Sequence, residues 1–184
     1  MTPTKILRKE HGTIKRMLYI LLRMCIKMEA AGMVDPEHLE RIIDTIRLFV
    51  YSSHHEKEEN LLFPALEEIG IRKDWGALGV IISERDEVRK YLRLLSGAID
   101  DYKHSKRGAA SRVIKQARNF VPLFMAHIHK EDTGIFHAVD SRLSLERQER
   151  LMKEFEKTEQ VASGFEKQRE LKRFLFRFER IYTG

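Results

Sequence analysis

One stretch of this chain occurs twice. The segment from His54 to Phe63 recurs from His127 to Phe136, and each copy sets a histidine four residues ahead of a glutamate, Glu58 or Glu131. A second acidic residue follows at once, Glu59 or Asp132, and a phenylalanine closes each copy. Positions i and i+4 of a helix share one face within a turn, so each copy aims an imidazole and a carboxylate at the same point. Two such helices facing each other make a cage for a cation. The fold must therefore be one that brings two long helices side by side at matching heights.

Start and stop signals divide the chain accordingly. Thr2-Pro3 and Asp35-Pro36 each read as an N-cap followed by proline at the first helical position, and Gly32 suits the end of the first helix. A second helix is expected to run from residue 36 into the first motif, with Pro64 and Gly70 breaking it up. Asp74 is the expected cap of a third helix reaching about His104, ahead of an Arg107-Gly108 turn. The fourth runs from about Ala109 to Val139, kinked but not broken at Pro122, which removes a backbone donor. Ser144 caps a charged helix to about Gln160, and Gly164 separates it from a last segment carrying Phe165, Leu171, Phe174, Leu175, Phe178 and Ile181. No segment alternates with the period of a strand. The expectation is all-α: an up-and-down antiparallel four-helix bundle over residues 1–140 with a C-terminal helical extension, 141–184, packed on it.

Apolar residues at helical spacing trace the core line of each helix, and what interrupts each line is informative. Helix one gives Leu7, His11, Ile14, Leu18, Leu21, Cys25 and Met28, with only His11 polar. Helix two gives Ile43, Ile46, Val50, His54, Glu58 and Leu61, and helix four gives Val113, Ala117, Phe120, Phe124, His127 and Glu131. Helix three gives Leu78, Ile81, Arg85, Val88, Leu92, Leu95 and Ile99, and its polar member is an arginine. Antiparallel packing brings these breaches to one level. Burying one Glu or His costs several kcal/mol unless it is paired or metal-bound, so several together on core lines point to a metal. The single cysteine, Cys25, rules out an intrachain disulfide and multi-cysteine zinc sites and itself reads as a buried small hydrophobe. Imidazole and carboxylate without thiolate suit iron, with manganese or zinc as the alternatives.

These residues are similar to those of the hemerythrin-like (HHE cation-binding) domains. The resemblance rests on a histidine early in helix one, on His54-His55-x-x-Glu58-Glu59-x-x-Leu62-Phe63-Pro64, and on His127-Ile128-x-Lys130-Glu131-Asp132 with Phe136 following, and it covers about residues 4 to 140. It implies a four-helix bundle around a carboxylate-bridged non-haem di-iron centre, used for oxygen, nitric oxide or redox sensing, oxygen carriage or iron handling. By position it implies His11, His54 and His127 as terminal ligands and Glu58 and Glu131 as bridges. Asp132 competes for the last role, and the core line favours Glu131. His55, Glu59 and His129 neighbour the ligands but point off the line.

The departure is in helix three. Such domains usually read Glu-His-x-x-x-Arg there, whereas this chain reads Glu84-Arg85-Asp86-Glu87-Val88-Arg89. An arginine cannot donate to a metal. The expectation is a mononuclear or lopsided site, unless Glu84 rotates in; if Arg85 pairs with Glu58 or Glu131, a metal-free domain is the alternative.

The longest apolar run, Met17 to Leu22, is too short for a membrane span, the amino terminus lacks a signal-peptide layout, and a cytoplasmic setting is expected. The net charge of +6 is spread among acidic residues along nearly every segment, which argues for a solvated surface over nucleic-acid binding. The Phe-rich tail is expected to cover the bundle, with homodimer formation as the alternative. The leading functional expectation is an iron-binding domain for oxygen, nitric oxide or iron, without dedicated turnover. The rivals are a metal-free helical interaction module and a di-iron oxidase or peroxidase-type enzyme.

Overall fold

The structure, a computed structural model, describes residues 2–31, 33–74, 76–162 and 165–183, and for residues 31, 159–162 and 165–168 the backbone alone. The described residues form six helices and no strand: α1 (Pro3–Ala31), α2 (36–67), α3 (Gly76–Lys103), α4 (109–142), α5 (Leu145–Ala162) and α6 (Phe165–Tyr182). The expected breaks at Gly32 and Gly164, and the side chain of Phe165, lie outside the described residues.

Local signals act largely where the sequence puts them. Asp35 caps α2 by accepting from the Glu37 amide at 2.9 Å, with Pro36 following, and Ser144 Oγ accepts from the Arg147 amide at 3.2 Å to open α5. Two expectations fail. Pro64 does not break α2, because it sits in the first turn of a fresh α segment, Phe63–Glu67, where its missing N–H costs little. The helix ends at Glu67, in a turn that closes on Gly70, whose φ of 85° only glycine adopts freely. Asp74 is taken up by Arg72, whose Nε and Nη2 donate to its two oxygens at 2.9 and 2.6 Å.

Cross-helix ion pairs show the helix directions. Glu40 meets Lys103 and Glu59 meets Arg89, so α2 and α3 run antiparallel. Asp101 with Arg112 and Glu84 with Lys130 do the same for α3 and α4, and Arg8 with Asp140 and Glu29 with Arg118 for α1 and α4. The core lines of α1, α3 and α4 are buried throughout.

Helix α2 differs from its expected line by one position. Its α-helical part, Pro36–Phe49, gives way to π turns at Val50–His54 and Glu58–Leu62, separated by a short α segment at His55–Lys57; α4 has a third π turn at Glu131–Ile135. Ile46, Val50, His54, Glu58 and Leu62 are all buried at steps of four residues. On a pure α-helix each such step drifts about 40° around the axis. The wider π turns take that drift back, so Leu62 and not Leu61 holds the inner position. The same device keeps His127, Glu131, Ile135 and Val139 on one buried face of α4.

The interior is divided into two apolar clusters. The larger is built from α1 to α4 and joined by Leu175, Phe178 and Tyr182 of α6. The smaller gathers Leu7, Phe63, Leu66, Ile81, Phe136 and Val139 with Leu151 and Phe155 of α5. The polar breaches fall between the two, as a layer closed off from above and below. In α6, Tyr182 turns inward while Ile181 is 39% exposed, the reverse of the expected line.

Candidate metal centre

Four side chains converge in the polar layer. His11, His54, Glu58 and Glu131 each offer a ligand atom, all within 4.8 Å of one another, and all four residues are at most 1% exposed. Bonds of about 2.1 Å from N and O donors to a common centre would spread ligand atoms up to about 4.2 Å apart, so a small contraction suffices.

The two imidazoles are oriented from behind. Nδ1 of His11 donates to Asp132 Oδ1 at 2.8 Å, and Nδ1 of His54 donates to Glu10 Oε2 at 3.0 Å. A carboxylate only accepts, so both Nδ1 atoms carry the proton and both Nε2 atoms face inward with a lone pair when the ring is neutral. Those two Nε2 atoms lie 3.0 Å apart. Lone pairs cannot meet at that distance without a cation between them, either a proton or a metal. Carboxylate behind histidine behind metal is the arrangement that fixes tautomer and raises ligand basicity. His11 also stacks on Phe136, with ring centroids 5.2 Å apart.

Electrostatics match this geometry. Burial disfavours a charged His11, but hydrogen bonds to Asp132 and Glu131 and the charges of Glu131 and Glu58 outweigh it and raise its pKa to about 9. Burial, then the Glu131 charge beside it, push Glu58 upward. Burial also opposes ionisation of Glu131, yet His127, His11 and Arg85 together hold its carboxyl well below the usual range. Glu58 Oε1 is buried with no hydrogen-bond partner, and Glu131 Oε2 faces only His11 Nε2, at 3.2 Å. Such atoms are costly in a protein interior unless something coordinates them.

Over residues 2–139 the sequence matches the Hemerythrin HHE cation binding domain. The chain belongs to that family. It is also 24% identical over 144 residues to uncharacterized proteins of Mycobacterium tuberculosis and Mycobacterium bovis. That similarity covers 78% of this chain and 56% of each relative, so the chain spans little more than half the length of these relatives. No solved structure matches it.

In this hemerythrin-family domain, His127 stands apart from the four clustered ligand atoms. Its Nε2 is 3.0 Å from Glu131 Oε1 and its Nδ1 is 3.4 Å from Glu84 Oε2, and Glu84 in turn accepts from Lys130. Glu84 thus faces His127 and does not enter the four-residue cluster. Asp132 supports His11 and also takes Lys15 at 3.2 Å. Arg85, 1% exposed, donates through Nη2 to Glu58 and to Glu131 Oε1 at 3.1 Å, and through Nη1 to Glu59 Oε1 at 2.9 Å. Its guanidinium lies 4.7 Å from the Phe63 ring centre. Glu59 is half out in solvent and His129 is exposed, as expected of residues off the core line. His55 is not: it is 2% exposed against His127 and Tyr51, and burial followed by the nearby Arg85 charge holds its pKa well below the usual range.

Two supporting residues carry no signal in the hydrophobic pattern. Glu10 precedes His11 directly, and Lys57 lies beside Glu58; both are buried, and Lys57 Nζ donates to the Glu10 oxygen that His54 does not use. The only sequence hint was a pair of charged residues abutting proposed ligands. Cys25 is buried, and burial raises its thiol to about pKa 12, so it stays protonated and packs as a hydrophobe.

Proposed function

We propose that this domain binds iron through His11, His54, Glu58 and Glu131 and serves to sense or handle oxygen, nitric oxide or iron, without a dedicated catalytic cycle. The observation that carries the reading is the pair of inward Nε2 atoms 3.0 Å apart, each held by a carboxylate behind it and facing two buried glutamates. The donor set of imidazole and carboxylate, with the one cysteine buried elsewhere, suits iron, and manganese or zinc would fit the same donors. Iron would supply reversible one-electron redox chemistry and affinity for a small diatomic ligand. The chain's own part is to orient the two rings, to supply two anionic oxygens, and to exclude water between the two apolar clusters.

The proposal extends to a cytoplasmic setting, and no helix among the described residues is long and apolar enough to cross a membrane. It also takes α5 and α6 as an extension beyond residue 140 that packs on the bundle. A homodimer through α6 belongs to the proposal too, supported by Phe176, which is 62% exposed there.

A metal-free helical interaction module is the second reading, favoured by the ion pairs of Arg85 with Glu58 and Glu131. Iron analysis after anaerobic loading, with visible spectra before and after exposure to air and to nitric oxide, separates the two. Bound iron with a spectrum that responds to either gas supports the first reading. No retained metal supports the second.

A further inference from the structure

The duplicated motif sets a histidine on each side of the Glu58–Glu131 pair, but the two sides are not filled alike. On one side lie His11 and His54, with inward lone pairs. On the other lies His127, 3.0 Å from Glu131 Oε1, and the Arg85 head group reaches that same oxygen and Glu58, filling the space beside His127 between the two carboxylates. We infer that the Arg85 guanidinium is a permanent second cation of the carboxylate pair, so that the site takes one metal ion per chain. The inference rests on the metal reading above and narrows it.

The geometry gives the reason. A second metal bound by Glu58, Glu131 and His127 would need the space of Arg85 Nη2, which donates to both carboxylates at once. The head group is held further by Glu59 and packs on the Phe63 ring, so it is anchored on three acids and one aromatic face. Arginine cannot lose its proton to make room. Glu84, the other carboxylate on that side, accepts from Lys130 and faces His127 Nδ1.

Charge points the same way. Two ionised glutamates and one guanidinium sum to minus one, which a divalent ion turns into plus one. A second divalent ion would sit directly against the fixed guanidinium, and like charges in contact among buried groups cost several kcal/mol. Functionally, one ion supplies one electron. The proposed role therefore narrows from two-electron oxygen carriage, which needs a metal pair, to one-electron sensing or simple binding of a diatomic ligand or of the metal itself.

The test is a stoichiometry. Chelator-treated wild-type protein is titrated anaerobically with Fe(II), and separately with Co(II), whose visible bands report its coordination. Bound metal is counted after gel filtration. One ion per chain is expected in the wild type and in Arg85→Lys, and two in Arg85→His, where an imidazole replaces the guanidinium. Circular dichroism and a thermal melt check that each variant folds, and the wild-type count stands without any variant. Two ions per wild-type chain would overturn this inference while leaving the metal reading intact. A count of zero would overturn the metal reading itself. A correctly folded Arg85→His that still takes one ion would show that Arg85 does not set the count.

Discussion

Replacing Arg85 by methionine removes the only positive side chain that hydrogen-bonds both Glu58 and Glu131 among the described contacts, while keeping much of its length. In metal-free protein the two carboxylates are then left together, both at 0% exposure. Breaking a buried pair in this way costs about 3–5 kcal/mol. The chain has one escape, which is to bind a proton between the two acids. Holding a carboxyl protonated at pH 7 when its ordinary value is 4.5 costs about 3 kcal/mol, at roughly 1.36 kcal/mol per unit. The expected deficit at pH 7 is therefore about 3–4 kcal/mol, or roughly 6–16 °C in melting temperature for a chain of this size. The sign with pH follows from linkage. Glu58 is already raised in the wild type, and losing Arg85 raises it further, which makes the folded variant lose more stability than wild type as pH rises above 4.5, so the deficit is smaller at pH 5 than at pH 7. Urea melts of chelated wild-type and Arg85→Met protein at both pH values measure it. A deficit under about 1 kcal/mol at pH 7, or one that does not change with pH, refutes the claim that Arg85 neutralises a buried acid pair.

Three further outcomes follow from the same geometry. His54→Ala and Glu131→Ala should abolish most iron retention, whereas Asp132→Asn, which only loosens His11 from behind, should lower affinity about 10–100-fold; the opposite order in metal analysis would move the ligand role to Asp132. Because metal must displace the His11 proton, whose pKa is about 9, apparent Co(II) affinity should rise about tenfold per pH unit up to that value and then level off. The same proton stabilises metal-free protein fully below pH 6.5, a contribution lost as pH rises through 9, and pH-independent affinity would contradict this. Phe178→Ala in α6, a 1% exposed ring whose centroid lies 4.3 Å from that of Phe174, should cost about 3–5 kcal/mol in a urea melt; a loss below about 1 kcal/mol would mean α6 is not docked.

The helical core lines of α1, α3 and α4 were legible because apolar spacing is a direct consequence of one buried face, and the polar residues on them, His11, Arg85, His127 and Glu131, are buried. The position of Leu62 was not, because a π turn depends on which side chains the neighbouring helices accept and leaves no mark in spacing read at a fixed period. The inward turn of His55 has the same origin, since it opens the short α segment between two π turns. Glu10 and Lys57 escaped for another reason. They are buried through contacts with each other and with His54, and long-range pairing of charges is invisible to local pattern. The apolar pair Leu151 and Phe155, four residues apart in α5, signalled a buried stripe, but not that it closes the cluster beneath the polar layer.

The most direct test of the centre is an anomalous difference map from crystals of iron-loaded protein, collected at the iron absorption edge. The account predicts a single peak among His11 Nε2, His54 Nε2, Glu58 and Glu131, with the Arg85 head group still on both glutamates. A peak beside His127 and Glu84 instead, or no peak at all, would contradict it.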